Sequence, residues 1–456
     1  MGVGLSKMLS AYSSATRKVR KIIDGIIDES SFVELDTFIG GTNELGEYKG
    51  EGLLCGMASV CGKDIALMAT NPEVFEGGIS KRGAEKIERL VNRAISTGTP
   101  LVSVLDTAGA RILEGIDSLY GYGLILNSFA KACGTVPVFT VVTGKNYGML
   151  SYISGLSDLC IAIDKAQMST SSPLLITAAA GDGVNYSSAK ALAASSGSIT
   201  NVAKNIDEVK SLLDNALSLY CDMFGEFCED DDPNRVGKSL STRSTAHTVI
   251  KEVCDANTVF EVRSAYAPEV ITALARLDGV TVGVVSVNDK LTAKGSTKIT
   301  EFVNSAANFN IPVINLVNCS GVIIDPKQEA CCLMRSISDL VYAYSNADIP
   351  KIALITGEAV GASYSILAAK QTFDYTFAWE NANISPLEST AAARLLYGDK
   401  IAASKNSAEA EKKFAKEYGD ENSAMTAAGK GYLDNVIIPN HSRQYLIAAL
   451  HSVIKR

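Results

Sequence analysis

The chain has 456 residues, of which 47% are hydrophobic and 20% charged, and its formal net charge is −8 at pH 7. This length predicts about two to three domains with a sizeable core, and the acidic balance argues against a nucleic-acid partner, which needs a dense positive surface. The ten cysteines form no C-x-x-C pair, and no apolar run approaches the roughly 18 residues of a membrane span. We therefore expect a cytoplasmic protein with free thiols and no metal site.

The first half of the chain predicts an α/β fold. Its short β-branched runs alternate with segments of helical spacing, which indicates βα units around a buried sheet. The predicted elements, in chain order, are a helix over 9–28, a strand region at 31–36, a hairpin over 52–70, a turn at Gly77-Gly78, a helix over 81–95, strands at 102–105 and 138–142, and a helix over 206–221.

The second half repeats this series after an acidic segment. Residues 226–237 include Pro233 and form a candidate linker between a domain of residues 1–228 and a domain of residues 238–456. The second series comprises a strand at 259–262, a hairpin through Asp278-Gly279, a helix near 300–309, then strand, turn and helix as before, and a charged helical region from Lys405.

Two stretches of the chain look like copies of one another: Val104–Asp158 and Leu316–Asp374. Each has an apolar strand, a turn of small residues, a second strand that follows a proline, and a glycine at the entry to a helix. Gly109 and Gly148 are 39 residues apart, and Gly321 and Gly361 are 40 apart. This matched spacing indicates a duplicated folding unit.

Neither copy contains a histidine, since the three in the chain are His247, His441 and His451. Chemistry within the copies would therefore depend on main-chain N–H groups, which can stabilise negative charge as it develops on an oxygen. Glycine at such a turn also lets a substrate approach the backbone closely. The alternative is that these glycines only permit tight packing of helix against strand.

Several short sequence motifs occur in a fixed order along the chain: Ser31–Asp36, Gly77-Gly78 with Ala84–Ile87, Asp106–Gly115, Tyr266–Pro268, Gln328-Glu329, Leu340–Ser345, Phe377–Trp379, Ser385–Glu388 and Gly431–Ile437. The most specific is Asp106–Gly115, which reads D-T-A-G-A-R-I-L-E-G. Together, over nearly the whole chain, they resemble the carboxyltransferase subunits of biotin-dependent acyl-CoA carboxylases and decarboxylases, the family of the propionyl-CoA carboxylase beta chain and the methylmalonyl-CoA decarboxylase alpha subunit.

The resemblance implies an α/β fold of two tandem crotonase-like ββα-spiral domains, the first on the acyl-CoA side and the second on the biotin side. It implies a coenzyme A thioester as substrate and biotin on a separate biotin carboxyl carrier protein. The further partners would be a biotin carboxylase or membrane decarboxylase subunits. The family is usually a hexamer, a trimer of dimers, with each site shared between two subunits.

The resemblance also implies two sets of catalytic amides. Gly148 and Met149 would donate to the acyl-CoA enolate, and Gly361, Ala362 and Ser363 would hold the biotin carbonyl. The family usually has a second glycine where this chain has Met149 and Ala362. An amide donor survives either change, but Met149 adds bulk near the acyl group.

The predicted substrate-binding residues surround these amides: Gly77, Gly78, Ala108, Gly109, Ala110, Arg111, Tyr152, Gly321, Tyr364 and Ser365. The sequence leaves open whether Arg111 orders the loop, lies near CoA or forms an i,i+3 ion pair with Glu114. It leaves open equally whether Tyr152 and Tyr364 line a channel or fill a core. Ser365 lies where the family shapes its acyl pocket.

Three functions fit this reading. The first is transfer of a carboxyl group between carboxybiotin and a short acyl-CoA, such as acetyl-, propionyl- or methylmalonyl-CoA. The second is the alpha subunit of a biotin-dependent acyl-CoA decarboxylase linked to a sodium pump, and the third is a catalytically silent scaffold of the same fold. The first two share one half-reaction, so the sequence does not separate their direction.

Overall fold

A computed structural model describes residues 5–39, 50–181, 185–225 and 231–454 of the chain. The chain divides into two compact units, Met1–Cys221 and Asp222–Arg456. Within the described ranges, no helix is both long enough and apolar enough to cross a membrane.

The predicted linker lies partly outside the described ranges, which leave out residues 226–230. Its remaining part packs onto the second unit. The Arg235 guanidinium donates hydrogen bonds to the carbonyl oxygens of Glu252 and Cys254, each at 2.7 Å. The segment from 231 to 237 is therefore held in place by contacts within its own unit.

The first unit contains an eight-stranded sheet and seven helices among its described residues. Its helices are α1 Leu5–Ile26, α2 Lys81–Thr97, α3 Ile116–Ala132, α4 Ser151–Leu156, α5 Pro173–Ala180, α6 Ala189–Ser195 and α7 Ile206–Cys221. Its strands are β1 Val33–Leu35, β2 Leu53–Val60, β3 Lys63–Thr70, β4 Leu101–Thr107, β5 Val138–Tyr147, β6 Leu159–Ile163, β7 Gln167–Ser169 and β8 Asn201–Ala203.

The second unit has its own eight-stranded sheet. Its helices, in the described part, are α8 Ala246–Val253, α9 Ala293–Asn308, α10 Pro326–Cys331, α11 Leu333–Asn346, α12 Ala362–Leu367, α13 Ser389–Ala402, α14 Ser407–Glu421, α15 Ala424–Gly429 and α16 Ser442–Val453. Its strands are β9 Phe260–Val262, β10 Val270–Leu277, β11 Val280–Val287, β12 Val313–Cys319, β13 Lys351–Val360, β14 Tyr375–Trp379, β15 Asn383–Ser385 and β16 Asn435–Ile437.

The two sheets have the same strand order. In the first unit the order is β1-β2-β3-β4-β5-β6-β8, with β7 paired to β5. In the second unit it is β9-β10-β11-β12-β13-β14-β16, with β15 paired to β13. Each sheet begins with an antiparallel meander of three strands and continues with parallel strands. The structure thus repeats one α/β unit, as the spacing of the glycines predicted.

Helices α2 and α9 hold equivalent places in the two units and begin in the same way. Ser80 Oγ accepts a hydrogen bond from the Gly83 amide at 2.9 Å, and Thr292 Oγ1 accepts one from the Gly295 amide at 2.9 Å. Each cap satisfies an amide that has no acceptor inside its helix. Each capping hydroxyl also donates to a glutamate that precedes the second strand of the unit: Glu51 and Glu269.

A lysine follows each of these caps by two further turns of helix, at Lys86 and Lys298. Lys298 is fully buried, and its ammonium donates to the carbonyl oxygens of Tyr266 at 2.7 Å and Val270 at 2.6 Å. Burial lowers the pKa of Lys298 from 10.5 to about 8, because a low-dielectric interior disfavours the charged form.

The stability of the protein should therefore depend on pH through Lys298. Between about pH 8 and pH 10.5 the unfolded chain binds more protons at this lysine than the folded chain does, so folding becomes more favourable as the pH rises. We expect the difference in free energy of unfolding between the protein and a Lys298→Met variant to rise by about 1.4 kcal/mol per pH unit near the middle of this pH range. Urea denaturation of both proteins across this range measures the difference, and a difference that is constant with pH would contradict the prediction.

Candidate active site

At the end of strands β4 and β12, a polar side chain reaches across to the next strand. Asp106 Oδ1 accepts a hydrogen bond from the Lys145 amide at 3.0 Å, and Asn318 Oδ1 accepts one from the Glu358 amide at 3.0 Å. The pairing of the two strands shifts register at this point in both sheets. The side chain satisfies an amide near the shift, and the strand continues past it to the helix entry.

Glycines lie directly against these two side chains. A Cβ atom at Gly144 would stand 2.4 Å from Cγ of Asp106, and one at Gly357 would stand 2.3 Å from Oδ1 of Asn318. Real Cβ atoms do not approach other atoms this closely, so a larger residue would push the polar side chain away from its hydrogen bond. We call the place where the end of β4 or β12 meets the next strand, just before that strand's helix entry, the corner of the unit. The corner therefore requires glycine in both units.

A Gly144→Ala substitution should destabilise the protein because it displaces Asp106. We expect a loss of about 1–3 kcal/mol, the usual effect of overpacking. The matched control is Gly123→Ala in α3, where an added Cβ meets no atom within 4 Å and where alanine favours the helix by up to about 1 kcal/mol. Urea denaturation measures both variants, and equal stabilities for the two would contradict this account of the corner.

The first corner brings Gly109 and Gly148 together. A Cβ at Gly148 would lie 3.9 Å from the Gly109 Cα, and one at Gly109 would lie 3.2 Å from the Tyr147 carbonyl oxygen. Both glycines have positive φ angles, 113° and 73°, which residues with a Cβ rarely adopt. The Gly109 amide donates to Thr107 Oγ1 at 3.1 Å, which fixes the turn.

The turn at Gly77 and Gly78 packs against this corner. A Cβ at Gly77 would stand 2.2 Å from the Asp106 carbonyl oxygen. The Ala108 amide donates to the Glu76 carbonyl at 3.0 Å, and Ile79 pairs with Ala110 in an isolated parallel bridge. The structure thus brings together Gly77, Gly78, Ala108, Gly109, Ala110 and Gly148, which the sequence predicted as one site.

The second corner has the same form. Gly321 and Gly361 have φ angles of 112° and 58°, and a Cβ at Gly321 would lie 3.6 Å from the Val360 carbonyl oxygen. Ser363 Oγ contacts both sides of the corner, since it lies 2.8 Å from the Val360 carbonyl and 3.1 Å from the Cys319 carbonyl. This hydroxyl ties the start of α12 to the end of β12.

The amides available at the second corner are those of Ala362 and Ser363. The Gly361 amide donates to the Ser385 carbonyl at 2.8 Å, so it is already used in holding β15 to β13. Ala362 and Ser363 open α12, where the first amides have no acceptor within the helix. Two adjacent N–H groups are therefore left to bind an oxygen.

The first corner offers the amides of Gly148 and Met149. These residues open a short 3-10 turn, Gly148–Leu150, that leads directly into α4. The amides at the start of such a turn have no acceptor within the turn itself. Ser151 Oγ donates to the Gly148 carbonyl at 2.7 Å, which helps to fix the plane of the peptide that carries the Met149 amide.

Arg111 supports the first corner through contacts within its own unit. Its guanidinium donates to the Gly78 carbonyl at 2.9 Å and forms ion pairs with Glu51 at 3.1 Å and Glu114 at 3.2 Å. It also lies over the Phe75 ring, 4.2 Å from the centroid. The i,i+3 pair that the sequence left open is therefore present, and Arg111 holds the Gly77–Gly78 turn in place.

A cavity of about 470 Å³ adjoins the second corner. Tyr364 and Ser365 line it. The Tyr364 hydroxyl donates to the Tyr432 carbonyl at 3.0 Å, and burial raises the pKa of Tyr364. The opposite wall was not predicted as part of the site: Ile384, Ser385, Pro386, Glu421, Asn422, Ser423, Thr426, Ala427, Lys430 and Tyr432.

Tyr152 lies on α4 with 44% of its surface exposed, so it is not a core residue within its unit. The histidines lie elsewhere, and none lines the cavity at the second corner. Their nearest polar partners are Glu261 for His247 at 3.4 Å, Gln444 for His441 at 2.6 Å and Asp278 for His451 at 2.6 Å. Among the described residues, no three His, Cys, Asp or Glu side chains are grouped to hold a metal ion.

Comparison with known proteins identifies the family. Residues 11–456 match the carboxyl transferase domain family. The chain belongs to this family. A similar carboxyl transferase is the propionyl-CoA carboxylase carboxyltransferase subunit of Haloferax mediterranei, 29% identical over 98% of this chain and 92% of the relative. Another is the methylmalonyl-CoA decarboxylase subunit alpha of Veillonella parvula, 29% identical over the same shares of the two chains.

Solved carboxyl transferase structures have the same fold. Transcarboxylase 12S, described as a hexamer with methylmalonyl-CoA and methylmalonic acid bound, superimposes with a TM-score of 0.88 at 28% identity, over 99% of this chain and 92% of that one. This likeness, together with the repeated sheets, confirms the predicted α/β fold of two tandem crotonase-like ββα-spiral domains.

Proposed function

We propose that this carboxyl transferase moves a carboxyl group between carboxybiotin on a separate carrier protein and a short-chain acyl-CoA. The observation that carries the proposal is the pair of matched corners, each with two adjacent amides at the start of a helical segment, where an amide has no acceptor within the segment. A relative with methylmalonyl-CoA bound superimposes over nearly the whole chain, which supports an acyl-CoA as the substrate.

The reaction places transient negative charge on an oxygen of each reactant. When the α-carbon of the acyl group gains or loses a carboxyl group, charge develops on the thioester oxygen. Carboxybiotin supplies the carboxyl group when it is bound. Amides that are already fixed in direction stabilise such charge without reorganisation, and each is worth several kcal/mol to the barrier.

We assign the Gly148 and Met149 amides in the first unit to the acyl-CoA oxygen. We assign the Ala362 and Ser363 amides in the second unit to the biotin carbonyl, and Gly361 to the turn that aims them. The Tyr364 and Ser365 side chains would contact the reactant in the adjoining cavity. Gly321 keeps its predicted place in the corner behind these donors.

For the first corner, Gly77, Gly78, Ala108, Gly109 and Ala110 would shape the surface on which the thioester lies. Arg111 would act indirectly, by holding that surface. Tyr152 is exposed close to the donors and would line the channel.

The partners follow from the same proposal. A biotin carboxyl carrier protein would deliver the cofactor, together with a biotin carboxylase or membrane decarboxylase subunits. A hexamer, as described for transcarboxylase 12S, would complete each site with a second subunit. A cytoplasmic location stays a prediction.

A turnover assay tests the function. The purified chain is incubated with free biotin and malonyl-CoA or methylmalonyl-CoA, and loss of the carboxyl group is followed as released CO2. Turnover that requires biotin supports carboxyl transfer. A folded protein that turns over no short acyl-CoA but binds a carrier subunit firmly would favour the silent scaffold.

Removing one donor should slow the reaction without removing the fold. Ala362→Pro deletes an amide at the first position of α12, where proline is well tolerated, and we expect kcat to fall about 10²–10³-fold. Ala362→Gly keeps the amide and is the matched control. His247→Ala should leave turnover unchanged, since this histidine is not near the corner's cavity. Position 148 does not suit the test, because proline cannot adopt the positive φ of Gly148.

Steady-state kinetics of the three variants, with circular dichroism to confirm folding, measures these effects. Equal kcat values for Ala362→Pro and Ala362→Gly would remove the Ala362 amide from the site. A large loss in His247→Ala would show that a side-chain base takes part.

A further inference from the structure

A small cavity of about 150 Å³ lies in the first unit, and none of its lining residues is assigned above to the reaction. It is bounded by the end of β1, by β2 and by one face of α2. Its lining combines three basic side chains, one carboxylate, one thiol and two leucines: Lys86, Arg89, Arg93, Asp36, Cys55, Leu35 and Leu90.

Lys86 is buried at this cavity with most of its hydrogen-bonding capacity unused. Only 2% of its surface is exposed, and its ammonium donates to a single described acceptor, the Leu53 carbonyl, at 3.2 Å. An ammonium has three N–H donors. Buried charges are normally paired or fully hydrogen-bonded, so the two remaining donors of Lys86 call for an acceptor.

The duplicated unit provides an internal comparison. Lys298 has the equivalent place on α9, and it reaches three carbonyl oxygens: those of Tyr266 at 2.7 Å, Val270 at 2.6 Å and Ala267 at 3.5 Å. The ammonium group of Lys298 is therefore fully hydrogen-bonded within its unit, whereas that of the equivalent Lys86 is not. This difference indicates that the Lys86 ammonium has a purpose beyond support of its own helix.

The charges around the cavity favour an anion. Arg89 is paired with Asp36, with N–O distances of 3.0 Å and 2.9 Å, whereas Arg93 forms no ion pair with any residue that the structure describes. Burial raises the pKa of the Cys55 thiol to about 12, so it adds no negative charge near neutral pH. Three cations against one carboxylate leave a formal charge of +2.

We propose that this cavity binds a phosphate group. The formal charge matches a phosphate dianion, and the cavity is large enough to admit a tetrahedral oxyanion. Lys86 would donate from the buried end, and Arg93 would donate from the solvent side with its planar fork of N–H groups. The phosphate comes either as the free ion or as one group of a larger molecule such as coenzyme A.

Calorimetric titration of the full chain with inorganic phosphate, at constant ionic strength and with chloride as the reference anion, tests the site. We expect one phosphate per chain, with Arg93→Met weakening the affinity at least tenfold. Arg93 is exposed, so this variant should fold. Lys86→Met should abolish binding, and Lys298→Met, its matched control in the second unit, should leave the affinity unchanged.

A second titration distinguishes the source of the phosphate. If it is the 3′-phosphate of coenzyme A, Arg93→Met should weaken binding of coenzyme A and leave binding of dephospho-coenzyme A as it was. If it belongs to the diphosphate, Arg93→Met should weaken binding of both. If the free ion is the ligand, only the inorganic phosphate titration should respond to Arg93→Met. Affinities that do not change with Arg93→Met in either titration, or no phosphate binding at all, would overturn the proposal. Neither titration involves turnover, so a failure here would be distinct from a failure of carboxyl transfer.

Discussion

One hydrogen bond per unit determines how the candidate site is built. The side chain at the end of β4 or β12 accepts this bond from an amide of the neighbouring strand, that of Lys145 or Glu358, and a glycine leaves room for it. Without this bond the strand would have an unsatisfied amide where its ladder shifts register, and its last residues would not reach the helix entry. The donors at Gly148 and Ala362 take their positions from this arrangement.

The two units preserve this framework but differ in detail. The first corner has the carboxyl group of Asp106 where the second has the amide group of Asn318, and Ser363 ties the second corner with a hydroxyl where the first has Leu150. The lysines on α2 and α9 differ in the same way, since one is satisfied by main-chain carbonyls and the other faces a cavity. A duplicated unit thus keeps its main-chain geometry while its side chains acquire separate roles.

The fold could be predicted from sequence because it depends on periodicity and on glycines whose requirement is steric. The hairpin over 52–70 forms as β2 and β3, and the helix predicted over 81–95 extends to Thr97. The helix predicted near 300–309 begins earlier, at Ala293, because Thr292 provides a cap that lies outside the apolar pattern.

The site was predicted less completely, because its remaining features depend on contacts between distant parts of the chain. Spacing alone could not show that Ser385 accepts the Gly361 amide, since this bond joins two strands. Arg111 contacts Glu51, which lies sixty positions earlier in the chain. The sequence left three roles open for Arg111, and only these three-dimensional contacts show that it holds the loop in place. The cavity wall formed by α15 likewise lies far in sequence from the glycine turn that it faces.

Placing the proposed donors on the main chain has a consequence for how such a protein diversifies. The side chains of Met149 and Ala362 contribute bulk and shape, whereas the N–H groups beside them are the same for every residue except proline. Under the proposed assignment, substitution of Met149 would alter which acyl chain fits without disturbing the N–H groups that lower the barrier. Substrate preference and catalytic competence become separately adjustable traits, which is a favourable starting point for evolution towards new thioesters.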